Sequence, residues 1–151
     1  MSDAEMLERL LSEDPDRTDT EPEIASSIGE QMLLMGLRTM PRSLRSRIRD
    51  IVSRVPLGNA ILVGGGIGHL SAWLFDLWCG DPSIPDDVPG VKPESFIIVE
   101  EGARFGVIID RLIRRYNAES WSRVIAKPWI EITAEVTSWS AASASLPSSA
   151  R

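Results

Sequence analysis

Apolar residues recur along this chain with two different periods, and the switches between them mark its elements. Over 42–55, Leu44, Ile48, Ile51 or Val52, and Val55 fall at helical spacing. Ala60-Ile61-Leu62-Val63 is instead a short continuous apolar run, the pattern of a parallel strand buried on both faces. After Gly64-Gly65-Gly66-Ile67-Gly68 the period changes back. Leu70, Trp73, Leu74, Leu77 and Trp78 mark one face of an amphipathic helix that packs on a sheet. Phe96-Ile97-Ile98-Val99 reads as a second buried strand, ending in Glu100-Glu101. Phe105, Ile108, Ile109, Leu112, Ile113 and Tyr116 then form a helical stripe, with Arg111, Arg114 and Arg115 on the wet side and Asn117 as the stop. Residues 122–126 give a third strand.

The segments on either side are less regular. Residues 3–12 form a short helix with Met6, Leu7, Leu10 and Leu11 on one face. Thr20 and Glu23 make a capping box with Pro22 in the first turn, predicting a helix from Glu21 to Leu37 that buries Ile24, Ile28, Met32 and Met35. Four prolines make residues 80–95 a loop, and beyond Trp139 the chain turns small and polar without periodicity. The expected organisation is an acidic arm over 1–20, a helical cover over 21–56, an α/β unit over 57–130 and a Ser/Ala-rich tail over 131–151. The α/β unit alternates strand, helix, strand, helix, strand. It is one half of a doubly wound sheet, three parallel strands in the order 3-2-1 with flanking helices.

At 151 residues, 43% hydrophobic and 25% charged, the chain suits one soluble globular domain. The net charge of −6 is concentrated at the front, where the first thirty residues hold ten acids and two bases. The body is then only mildly basic, which argues against nucleic acid as a partner. The arginines at 42, 45, 47, 49 and 54 read as a solvated helix face, because no aromatics interleave for base stacking. One cysteine, Cys79, and one histidine, His69, provide neither a disulfide nor a zinc site. With an acidic rather than basic N-terminus, the reducing cytoplasm is the expected compartment. Residues 61–79 are apolar enough to raise a membrane span with a GxxxG pair, but their four early glycines fit strand, turn and helix better.

A glycine loop between a buried strand and a helix has a chemical purpose. Glycine permits a tight turn and close approach of a ligand to the backbone, and the helix start adds free N–H groups. A carboxylate at the end of the next strand can accept from ribose hydroxyls, so the loop with Glu100 describes a nucleoside-type site at the carboxyl ends of adjacent strands. The dinucleotide fingerprint G-x-G-x-x-G fails here, because its last position is His69; the pattern present is G-x-G-x-G. AILVGGGIGHLSAWL resembles the first motif of class I S-adenosylmethionine-dependent methyltransferases, and FIIVEE resembles their second. The likeness spans residues 42–130, and the two leading helices are similar to the cover of small-molecule O-methyltransferases.

The resemblance implies a Rossmann-like half domain and S-adenosylmethionine as cofactor. Gly64, Gly65, Gly66 and Gly68 would wrap its methionine part, with His69 at the junction to the helix. Glu100 would hold the ribose, Glu101 would flank the adenosine, and Trp129 would lie near the adenine. The chain departs from the family at Leu62, where an acid usually precedes the loop, and at Lys127, near the place of another. His69 is read first as a residue opening a helix, and no catalytic residue is assigned. The family's later strands, which carry most substrate contacts, have no counterpart in the pattern. The resemblance therefore predicts a truncated methyltransferase, acting on a small molecule when complete, with an open sheet edge that favours self-association. A non-catalytic Rossmann-like module stands beside it as the alternative, with an NAD or FAD protein behind both.

Overall fold

The computed structural model of the chain describes residues 2–5, 21–55, 57–84, 87 and 89–133. In chain order its elements are α1 (Glu23–Leu34), α2 (Arg42–Arg54), β1 (Asn59–Val63), α3 (His69–Cys79), β2 (Ser95–Val99), α4 (Ala103–Arg115) and β3 (Ser122–Ile125). They fall into two compact units. One is helical and contains α1, α2 and α3; the other contains the three strands and α4.

In the sheet unit β2 lies in the middle and pairs in parallel with β1 and β3, so the expected order stands. The register sets Leu62 beside Ile98 and Val63 beside Val99. Alternation along β2 sends its side chains to opposite faces. Ile98 and Ile109 of α4 both lie against Gly65. Ile97 and Val99 gather with Ile125 and Ile132 on the other face. Ile132 belongs to a helical turn at 129–133 and is fully buried, so the core reaches residues that the sequence pattern assigns to the tail. Each aliphatic side chain buried in this way contributes roughly 1.5–3 kcal/mol. α4 buries Ile109, Leu112, Ile113 and Tyr116, leaves Arg111, Arg114 and Arg115 outside, and gives way at Asn117, whose φ is 54°.

β1 differs from its sequence reading. The apolar run predicts burial on both faces, yet Ile61 is 37% and Val63 48% exposed. The register puts both on the face of Ile97 and Val99, but the cluster that Ile132 and Ile125 form over that face takes in β2 residues and neither Ile61 nor Val63.

In the helical unit α3 packs with both α1 and α2. It buries Trp73, Leu74 and Trp78 as predicted, and also Ser71, Ala72 and Phe75, so it is apolar nearly all round; Leu70 and Leu77 are only half-buried. Phe75 and Trp78 meet edge to face. α1 starts behind Pro22 without a side-chain cap, whereas Thr20 lies outside the described residues. It also ends earlier than expected. Gly36 adopts φ 73°, the Leu37 N–H returns to the Met32 carbonyl, and the helix closes at a glycine in the left-handed region. Met32 is therefore half-buried and Met35 is 50% exposed, while Ile24, Ala25 and Ile28 provide the buried face. Of the helix predicted over 3–12, residues 3–5 are helical, with Ser2 and Glu5 exchanging capping hydrogen bonds; the rest lies outside the described residues, as does 134–151 of the expected tail. No described helix is long and apolar enough to cross a membrane.

Candidate functional site

The glycine loop leaves β1 and bends across the end of β2. The N–H groups of Gly64 and Gly65 both donate to the Val99 carbonyl, at 2.9 and 3.2 Å. Gly64, Gly66 and Gly68 all have positive φ, at 81°, 57° and 95°. At Gly66 the demand for glycine is conformational alone, since a β-carbon there would meet nothing within 4 Å. Gly65 is glycine for a different reason. A β-carbon would sit 2.5 Å from Ile98 Cγ2 and 2.9 Å from Ile109 Cδ1, so the backbone of the loop rests directly on the core.

Glu100 fastens this loop. It follows the last residue of β2 and is only 9% exposed. Its Oε1 accepts from the Gly66 N–H at 2.8 Å, and its Oε2 accepts from the Gly102 N–H at 2.6 Å. Gly102 is the N-cap of α4, so one carboxylate joins the loop after β1 to the helix after β2. An ionised carboxylate offers about four acceptor positions. The two amides use one on each oxygen, which leaves a second on each for hydroxyl donors. The neighbouring Glu101 is exposed. Leu62 is half-buried and Lys127 exposed, and Trp129 is partly exposed in the 129–133 turn.

His69, the remaining residue of the motif, belongs to the helical unit, where sequence reasoning left it without an acidic partner. That partner is Glu21. The Oε1 atom of Glu21 lies 3.0 Å from His69 Nε2, accepts from Trp73 Nε1 at 3.3 Å and from Arg45 Nη2 at 3.1 Å. Arg45 also donates to the Met40 carbonyl. His69 and Trp73 stand one turn apart on α3, and their shared face is the signal that could have located the acceptor. Gly29 of α1 closes the cluster, since a β-carbon there would come within 3.3 Å of the imidazole. Burial holds His69 below its ordinary value of 6.5; the hydrogen bond and the negative charge of Glu21 oppose this, and the positive charge of Arg45 adds to it. Close to neutral pH His69 is therefore an uncharged ring whose Nε2–H donates to Glu21, and the ion pair of the cluster is Glu21 with Arg45.

The arginines of α2 are accordingly not all solvated. Arg45 is 5% exposed and stacks 5.6 Å from the Trp73 ring. Arg49 lies 5.7 Å from the same ring and pairs with Asp76 at 3.0 Å. Arg47 and Arg54 pair with Asp50 within their own helix. Among the described residues no group of histidine, cysteine and acidic side chains could hold a metal ion.

No family model matches the sequence, and no curated protein does. Several solved structures resemble the fold, two O-methyltransferases among them. An O-methyltransferase from Bacillus cereus, crystallised with SAH (S-adenosylhomocysteine), aligns with 88% of this chain and 55% of its own length, at TM-score 0.55 and 14% identity. A Staphylococcus aureus protein assigned as a caffeoyl-CoA O-methyltransferase aligns with 69% of this chain and 44% of its own, at TM-score 0.49 and 16% identity. The chain has a class I methyltransferase-like fold, with its three parallel strands forming a Rossmann-like half domain. It spans about half the length of these neighbours.

Proposed function

We propose that this chain carries the cofactor-binding part of an S-adenosylmethionine-dependent methyltransferase that acts on the oxygen of a small molecule. The observation that carries the reading is the Glu100 carboxylate, held at the end of β2 with one oxygen on the Gly66 amide and the other on the Gly102 amide. Those amides fix its direction before any ligand arrives, and its remaining acceptor positions match the two hydroxyls of a ribose. Gly64 and Gly66 expose backbone where no β-carbon stands, which suits close passage of an amino-acid chain. When bound, S-adenosylmethionine supplies a methyl group on a sulfonium centre. The contribution of this chain is to bind and orient it: loop backbone for the methionine portion, Glu100 for the ribose, and Glu101 beside the adenosine.

Leu62 favours a second reading, a module that holds the cofactor without catalysis. It places an apolar side chain in β1 where the family usually has an acid for the cofactor's amino group. Among the described residues the sheet unit also contains no histidine or cysteine to serve as a base. We therefore expect residues 1–151 alone to bind without turnover, and the half-exposed β1 to pair with further polypeptide or with a second copy.

Glu100→Ala tests the assignment. Hydrogen bonds to an ionised group contribute roughly 1.5–3 kcal/mol, so affinity for S-adenosylhomocysteine should fall about ten- to a hundredfold. Titration calorimetry measures the loss, and circular dichroism shows that the fold persists. Unchanged affinity would leave Glu100 as a fastener of the loop and nothing more.

A further inference from the structure

We propose that Glu21, His69, Arg45 and Trp73 form an acid-operated clasp that holds the start of α1 to α2 and α3 and releases it on mild acidification. All four residues lie in the helical unit, and the clasp does not depend on the identity of the cofactor. Its geometry is a convergence: one carboxylate oxygen, immediately before α1, takes donors from α2 and from two positions on α3. The donors are buried, Glu21 is half-buried, and Gly29 lets α1 approach the imidazole closely. The acids within α1, Glu23 and Glu30, are exposed, so Glu21 ahead of its N-cap is the charged residue that anchors its start.

The direction follows from which form takes up protons. His69 is held below 6.5 while the clasp is closed and returns to that value once it is open. The open form therefore binds a proton more readily, and opening gains on closing as pH falls below about 6.5. Glu21 acts in the same sense at lower pH. Burial pushes its carboxyl up, but the His69 hydrogen bond, the Arg45 charge and the Trp73 N–H outweigh this and hold it below its ordinary 4.5. The stabilisation from Glu21 is present above that value and is lost below it. The other charges on these helices do not reverse the effect. Arg42 repels Arg45 at every pH of interest. Asp76 is raised by burial against the pull of Arg49, with Asp87 and Asp81 adding to the rise; its contribution is lost as pH rises, not as it falls.

Amide hydrogen exchange by NMR on the whole chain reads the clasp, after correction for intrinsic exchange rates. Between about pH 7.5 and pH 5 the protection of α1 amides should fall, the direction set by the lowered His69 value, while β2 amides keep theirs. His69→Gln retains an N–H for Glu21 but cannot titrate, so most of that fall should vanish. The chain has a single histidine, so its ring resonances are unambiguous in the unaltered protein. They should titrate below 6.5 and in step with the shift of the Trp73 indole N–H, a readout that serves even where the variant does not fold. Equal α1 protection at both pH values, joint loss with β2, an equal fall in His69→Gln, or a ring titrating at or above 6.5 would each overturn the proposal.

Discussion

Glu21→Ala should be the most damaging single substitution in the helical unit, costing about 3–5 kcal/mol, the range for removing one partner of a buried ion pair. The loss exceeds that of an ordinary exposed pair because of what remains. Arg45 is almost wholly enclosed, and the Met40 carbonyl cannot replace a negative charge. Trp73 Nε1 and His69 Nε2 would lose the same acceptor. Domains have only about 5–15 kcal/mol in total, so the variant should sit close to its unfolding midpoint at ambient temperature. Glu21→Gln keeps an acceptor oxygen but not the charge, and should fall between the two. Urea denaturation followed by circular dichroism in the helical region orders the three proteins. A loss below about 1 kcal/mol for the alanine variant, the range of surface pairs, would mean that Arg45 is hydrated and the cluster is not a true interior contact.

Gly65→Val should be comparably severe in the sheet unit, for a steric reason. The β-carbon alone would fall 2.5 Å from Ile98 and 2.9 Å from Ile109, and valine adds two methyl groups beyond it. Ile98 is central in the middle strand and Ile109 lies on the inner face of α4; both are fully buried and have no room to retreat. Overpacking of this kind costs about 3 kcal/mol at the upper end of its usual range. It should lower the denaturation midpoint and abolish ligand binding together, because the loop would lift from the Val99 carbonyl and from Glu100. Retained stability and affinity would mean that the loop does not rest on the core.

The periodic elements were legible in the sequence because apolar spacing states which residues seek cover. It placed all three strands, their order, and the stripe of α4 from Phe105 to Tyr116. It could not state whether cover is present, which is why β1 reads as buried on both faces while Ile61 and Val63 are partly open. The Arg45 reading failed for a related reason. A charged residue on a helix is solvated by default, and only a carboxylate 24 positions earlier in the chain makes its burial affordable. In the sequence Glu21 reads as a helix-start residue, since nothing local distinguishes an acid that caps from one that anchors. At the candidate site the glycine spacing and Glu100 were both visible. The hydrogen bonds joining them across 34 positions were not, nor was the packing that makes Gly65 obligatory.

On the proposed reading the loop and Glu100 form a site for an adenosyl sulfonium cofactor. Titration calorimetry of the full chain with S-adenosylmethionine, S-adenosylhomocysteine, NAD and FAD tests it most directly. Saturable binding of the first two is expected, with weaker or no binding of the dinucleotides, since His69 stands where their loop needs a third glycine. Binding of NAD or FAD with no response to either adenosyl ligand would contradict it.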